Sequence, residues 1–360
     1  MSRVLIQIYS CLFGNWKSTL ISGICVLTLV QFISLTSYAG EGKISGYYIG
    51  EFYHVLTSHD DSYQGRNGFQ YRRIYMNYDK KIDNSWAIRL RYEMNSPSFN
   101  SGTVGSTKIT PYIKHGYLKW TNPEFRFTTY FGLSGTPTFA NVEKNWGYRS
   151  LAKSPEDLHK LGSSTDFGLA IKGSFDNEKK IGYHIMVGNG KGTKGEDNSG
   201  KKGYLSLFAK PTKNILVEAY GDFESLDEQP NKILTHVFLG YQATTFRLGF
   251  LASYRLGAAK NEEKVMAGSL FSSVILIENK LSFVARFDQL LDPNPNGNKI
   301  SYIPHNTKAT SSTVLLALDW QPVSDVKVMP NMVMIFYGKP EGLEQPDIDL
   351  MPRLTLYYKF

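Results

Sequence analysis

Apolar and polar side chains alternate along most of this 360-residue chain. In "WAIRLRYEM" (86–94), Trp86, Ile88, Leu90, Tyr92 and Met94 share one side, with Arg89, Arg91 and Glu93 on the other. "FRLGFLASYRL" (246–256) sets Phe246, Leu248, Phe250, Ala252, Tyr254 and Leu256 against Arg247, Ser253 and Arg255. A period of two belongs to a β-strand, whose successive side chains point to opposite faces. The pattern predicts sixteen strands, near 43–55, 66–78, 85–94, 112–120, 125–133, 165–175, 180–188, 203–210, 214–223, 232–242, 246–257, 265–276, 280–290, 310–320, 326–337 and 349–360. A count of fourteen or eighteen stays open, because 203–210 is short and 349–360 contains Pro352.

The connections carry more information than the strands. Short ones ("DKKIDN", "TNPE", "DNEK", "PTK", "ATT", "EN", "QPVSD") alternate with long, polar ones that include 95–111, 134–164, 189–202 and 291–309. Asn, Asp, Pro and Lys in the short set suit tight turns. A soluble sandwich has no reason to keep its short turns on one side. A transmembrane antiparallel β-barrel of the outer-membrane kind does, with short periplasmic turns and long outer loops. Lipid then receives the apolar faces and the lumen receives the polar ones. The last strand, "RLTLYYKF", alternates in the same way, and pairing it with the first would leave no open sheet edge. The terminal aromatic with alternating apolar residues also resembles the terminal signature of outer-membrane proteins, which implies that Tyr358 and Phe360 are read by their assembly machinery.

Composition agrees. Tyr (23) and Phe (21) favour strands, and the longest apolar run beyond the leader, Met332 to Tyr337, is far shorter than the roughly 20 residues of a membrane helix. Residues 1–39 read as an export signal: Arg3 and Lys17 precede the apolar "LISGICVLTLVQFISL", and Ser37 and Ala39 stand three and one residues before a cleavage site. Residues 40–360 are then the barrel. Both cysteines, Cys11 and Cys25, lie in the leader, so disulfides and thiol chemistry are not expected in the mature chain. Without Arg3 and Lys17 the net charge falls from +8 to +6, and its spread along the chain argues against a nucleic-acid partner.

Several segments resemble a bacterial outer-membrane porin, most of all the phosphate-selective porin O and P family. They are "GFQYRRIYMNYDKKIDNSWAIRLRYEMN" (68–95), "FRFTTYFGLSGTPTF" (125–139), "YRSL" (148–151) and "TDFGLAIKGSF" (165–175). The resemblance implies a passive channel for small hydrophilic solutes, phosphate among them, with a long loop folded into the lumen and assembly as a homotrimer. A barrel serving as an adhesin, or as the scaffold of an envelope complex, is the alternative.

Candidate chemistry follows from inward charge. Eleven basic positions are expected on lumenal faces: Arg73, Arg89, Arg91, Lys119, Arg126, Lys172, Arg247, Arg255, Arg286, Arg353 and Lys359. Six acids oppose them: Glu93, Asp166, Glu218, Asp222, Asp288 and Asp319. The longest loop adds Lys144, Arg149 and Lys153, and Ser154, Pro155, Glu156 and Asp157 suit the start of a short helix within it. Arg73, Arg89, Arg91 and Arg126 with those three loop cations are the candidates for a modest anion preference. The alternative is that each arginine pairs with a neighbouring acid and stiffens the wall. "GKGTKG" (190–195) and "GEDNSGKK" (195–202) imitate phosphate loops but precede a strand instead of the helix such loops need. His54, His59, Asp60 and Asp61 read as a solvated outer loop rather than a metal site. His115, His184 and His236 stand near no nucleophile motif, so no enzyme, metal or cofactor is expected.

Overall fold

The computed structural model describes residues 42–95, 110–225, 231–257 and 264–360; the expected export leader lies outside them. Sixteen strands form, and no end moves by more than three residues from its expected place. They are β1 Lys43–His54, β2 Asn67–Lys81, β3 Trp86–Met94, β4 Tyr112–Asn122, β5 Phe127–Gly135, β6 Thr165–Ser174, β7 Ile181–Gly188 and β8 Lys202–Ala209. The second half holds β9 Ile215–Glu224, β10 Lys232–Gln242, β11 Phe246–Leu256, β12 Val265–Ile277, β13 Leu281–Leu290, β14 Ser311–Val323, β15 Val326–Tyr337 and β16 Asp349–Lys359. Each strand pairs antiparallel with its sequence neighbour, and β16 pairs with β1 to close the barrel.

Two of the short turns are tighter than the sequence suggests, because pairing runs on through Lys81↔Ala87 and Val323↔Val326. Acidic side chains fix others. Asp83 accepts hydrogen bonds from the amides of Ser85 and Trp86, and Asp176 from those of Lys180 and Ile181. All the short turns lie at one end and the long loops at the other, as antiparallel connectivity requires.

The strand faces sort as the alternation predicts. Phe69, Val187, Val237, Leu239, Phe250 and Leu270 are exposed on the outside, whereas Glu93, Asp166, Glu218, Asp222 and Arg286 are buried inside. The lumen, however, is not a uniformly water-filled space. Loops 136–164 and 291–310 enter it and pack an apolar core against β10–β16. Val142, Trp146 and Leu151 of the first loop and Ile300 and Ile303 of the second meet Phe238, Phe271, Leu315 and Val333 of the wall. Polar space is left in separate places: a cavity of about 230 Å³ beside β2–β6, and one of about 270 Å³ towards the turn end, between Tyr148 of the loop and Arg247, Ser282, Asp319 and Lys327 of the wall.

Candidate functional site

The entering loop carries two helices. α1, Ala140–Trp146, ends at Gly147, whose backbone adopts φ 69° and whose amide donates to the Glu143 carbonyl. That left-handed conformation favours glycine. Val142 and Trp146 lie one helical turn apart and face the barrel core, where the Trp146 ring stands edge-on to Phe271 at 5.1 Å. α2, Pro155–Leu158, begins where Ser154 and Pro155 indicated, although Ser154 makes no side-chain cap. α1 was not foreseen, because Phe139 at its start is no capping residue and seven residues give little periodic signal.

Four arginines from distant strands hold this loop by its backbone, one of them Arg247 of β11, which donates to the Trp146 carbonyl at 3.3 Å. Arg72 of β2 donates to the carbonyls of Ser150 at 3.0 Å and Leu151 at 2.5 Å. Arg353 of β16 reaches the Leu151 carbonyl at 3.3 Å, and Arg286 of β13 donates to that of Lys153. Arg72 and Arg353 flank Glu51 and both lie over the Tyr302 ring, at 3.8 and 5.9 Å. Arg286 also pairs with Asp288 and lies 5.2 Å from the Trp146 ring. Arg286 and Arg353, expected to line a pore, are anchors for the loop instead. Beneath α2, His236 contacts Glu156 at 3.0 Å and Glu218 at 3.6 Å, and His159 meets Asp288 at 3.3 Å.

Across from the loop stands a wall made by β1–β5, and a cavity of about 230 Å³ separates the two. Tyr75, Arg91, Lys114 and His115 line the wall side; Phe139, Glu143 and Arg149 line the loop side. Two bulges shape that wall. Pairing passes from Ile49↔Arg73 to Gly50↔Tyr71, so Arg72 is an extra residue, and both it and Arg73 are buried inside. Pairing likewise passes from Arg91↔His115 to Tyr92↔Ile113, which makes Lys114 an extra residue beside His115. Bulges re-aim side chains in this way. Strict alternation turns Arg72 and Lys114 outwards, so sequence reading missed both. The available signal was two adjacent charged or polar residues, "RR" and "KH", inside otherwise alternating strands.

The expected selectivity residues separate into groups. Arg73 bonds Glu93 at 2.8 Å, and Lys114 approaches the same carboxylate at 3.6 Å. Arg149 pairs with Glu143 and, at 3.0 Å, with Asp157; Lys153 pairs with Asp157 at 3.3 Å. Burial alone would raise the Asp157 carboxyl, but Lys153 and Arg149 hold it well below its usual range. Arg91 differs: it donates to the Asn77 side chain at 2.5 Å, stacks on Tyr75 at 4.7 Å, and has no carboxylate partner among the described residues. Arg89 lies nearer the turn end, half-exposed and paired with Asp79 through two hydrogen bonds. Lys144 is exposed on α1. Arg126 requires a correction. It sits in the turn between β4 and β5 with φ 57°, exposed and bonded to Asn177, so it belongs to no lumenal strand face. At the cavity itself, then, Arg91, Lys114 and Arg149 stand with Glu143, a local excess of positive charge, while Arg73, Lys153, Glu93 and Asp157 pair behind its lining.

No group of three metal-ligating side chains forms among the described residues, and His59 instead bonds Asp349.

No family model matches the chain, and no curated protein matches it. Solved structures do. OmpF of Salmonella typhi, in complex with daunomycin, superposes with a TM-score of 0.64 at 11% identity, covering 90% of this chain and 99% of that one. An anion-selective porin from Comamonas acidovorans gives 0.61 at 8%, covering 89% and 99%. The trimer form of OmpT from Vibrio cholerae gives 0.61 at 12%, covering 89% and all of that chain. At such identities the likeness is one of fold: a sixteen-stranded antiparallel barrel of the kind outer-membrane porins adopt.

Proposed function

We propose that this protein is an outer-membrane porin, a passive channel for small hydrophilic solutes with a modest preference for anions. The cavity between the β1–β5 wall and the inward loop carries the reading, because a closed barrel with an apolar outside needs water only along its interior. Three cations (Arg91, Lys114 and Arg149) against one carboxylate (Glu143) around this cavity favour anions, and a narrow gap screens each charge less than bulk salt does. Phosphate is one member of that class, as the resemblance to the O and P porins implies, but Arg73, Arg149 and Lys153 already hold carboxylate partners. Nothing in the cavity singles phosphate out.

The same reading places the loop end outside the cell and the turn end in the periplasm, with residues 1–39 removed on export. A homotrimer is supported by the trimeric form of a neighbour in fold. Purified protein added to a planar bilayer should give stepwise conductance, and a salt gradient should give a small anion-directed reversal potential. A barrel silent under all conditions would reject the channel in favour of an adhesin or scaffold.

A further inference from the structure

The second cavity, of about 270 Å³ at the turn end, is closed on one side. On four neighbouring strands each polar residue lining it gives way, two positions nearer the loop end, to a buried apolar one. Phe271 stands above Ser273, Val284 above Ser282, Ala317 above Asp319 and Met329 above Lys327. Tyr148 of the inward loop completes this ceiling, while Thr244 and Lys280, exposed in two turns, stand at the mouth. The cavity therefore opens at the turn end and stops blind against the apolar core. It is separate from the cavity that carries the channel reading.

Two cations line it without a carboxylate partner among the described residues: Arg247 of β11 and Lys280 in the turn before β13. Lys327, by contrast, is neutralised by Asp319. Arg247 is half-exposed and donates to the Trp146 carbonyl at the end of α1. A guanidinium has five N–H donors, so others remain for a second partner. Thr245, Ser273 and Ser282 add hydroxyl donors to the same lining, and Ser273 stands directly across from Arg247.

We propose that this blind cavity binds a small dicarboxylic acid entering from the turn end, and that the bound acid steadies the inward loop through Arg247. Arg247 takes one carboxylate and Lys280 the other, in charge-assisted hydrogen bonds. Because β12 runs between them, their backbones stand about 10 Å apart, at about 4.8 Å per strand. Two acid groups on a short spacer suit that separation better than one compact ion. Acetate leaves one cation unmatched, and glucose leaves both. A carboxylate on Arg247 restrains the same guanidinium that holds the loop, so occupancy reaches the loop through one side chain.

Calorimetry on the folded protein in detergent, with succinate, acetate, inorganic phosphate and glucose as probes, tests the site without any current. Succinate should bind roughly tenfold more tightly than each of the others, the gain expected from one further charge-assisted hydrogen bond. Arg247→Gln and Lys280→Gln should each weaken succinate about tenfold. Lys280 is exposed in a turn, so its variant keeps the fold. Arg126→Gln removes a charge from another turn and should leave succinate affinity as it was. Phosphate bound as tightly as succinate, or a Lys280→Gln protein with unaltered affinity, would overturn the dicarboxylate site. In planar bilayers, succinate should lower open-state noise from one chamber and not the other, and should not do so in Arg247→Gln. An equal effect from both chambers, or binding that leaves the noise unchanged, would overturn the coupling to the loop. Succinate binding to a barrel that never conducts would keep the site and reject the channel, whereas conductance without succinate binding would do the reverse.

Discussion

At the scale of single residues, two arginines that look equivalent in the sequence are set apart by their partners. Arg89 and Arg91 are two positions apart on the same face of β3, yet Arg89 is neutralised by Asp79 near the turn end and Arg91 meets only Asn77 and Tyr75 beside the cavity. A charge held in a narrow, poorly screened gap acts more strongly on passing ions than one in a wide, salt-filled mouth. Arg91→Gln should therefore move the reversal potential towards cations by more than Arg89→Gln does. Equal shifts in a potassium chloride gradient would mean that the cavity does not set selectivity. Arg126→Gln, in an exposed turn, should leave the potential where it is.

At the scale of elements, the inward loop is a structural part in its own right. Six of its large apolar side chains (Phe139, Val142, Trp146, Leu151, Leu158 and Leu161) are almost fully buried, and burying one such group is worth about 2 kcal/mol. Arg72, Arg247, Arg286 and Arg353 then fix its backbone. Arg353→Met keeps the volume but removes the contacts to Leu151, Asn331 and Glu51. Single-channel records should show more open-state noise for this variant, and unchanged noise would mean that the other anchors suffice. The second entering loop has a pH-sensitive contact. His305 is pushed down from 6.5 to about 3 by burial, and next by His159, whose ring centre is 5.6 Å away. Asp349 opposes that shift, His59 adds to it, and Tyr337 and Ser311 complete the surroundings. The folded chain thus disfavours the protonated ring, while the unfolded chain takes up its proton near pH 6.5. Below that pH the unfolded state binds more protons, so this contribution to stability is present above about 6.5 and declines as pH falls towards 3. Asp157, held low by its cations, loses its contribution in the acid range too, while Glu156, raised by burial, works in the opposite sense. Thermal unfolding followed by circular dichroism should show a drop in midpoint between pH 6.5 and 4 that is smaller in His305→Gln. An identical drop in both proteins would place the sensitivity elsewhere.

At the scale of the whole molecule, closure depends on the seam between β1 and β16. Gly46 and Phe360 exchange backbone hydrogen bonds there, at 2.8 and 3.1 Å. A Cβ on Gly46 would lie 2.1 Å from the Tyr75 carbonyl and 2.5 Å from the Phe360 ring, so only glycine fits the seam without a shift of backbone. Phe360 is exposed on the outside, beside Tyr358 at 6.2 Å between ring centres. An aromatic pair at the rim suits the interfacial girdle of a membrane barrel and the role of assembly signal proposed for these two residues. Deleting Phe360 should lower the fraction of heat-modifiable, folded protein on a gel, and Gly46→Val should do so by a different route, by wedging the seam. Normal assembly of both would contradict the importance given to this edge.

What the sequence determined by itself was whatever depends on local, periodic signals. Sixteen stretches of period two and an alternation of short and long connections were enough to place the strands, since each signal repeats along the chain and each strand pairs with its neighbour, while closure of β16 on β1 settled the count. The short helix at Pro155 was legible for the same reason, as it starts with a local motif. The tertiary structure alone decided what happens inside the barrel. Arg72 and Lys114 face inwards only because of bulges, which depend on register with a partner strand and leave the alternation on either side intact. Arg286 and Arg353 bind a loop more than a hundred residues away in sequence. The apolar part of the lumen arises because residues of two entering loops and seven strands, distant in sequence, are brought to one place. Periodicity records which face a side chain takes; it carries no information about what fills the space that face encloses.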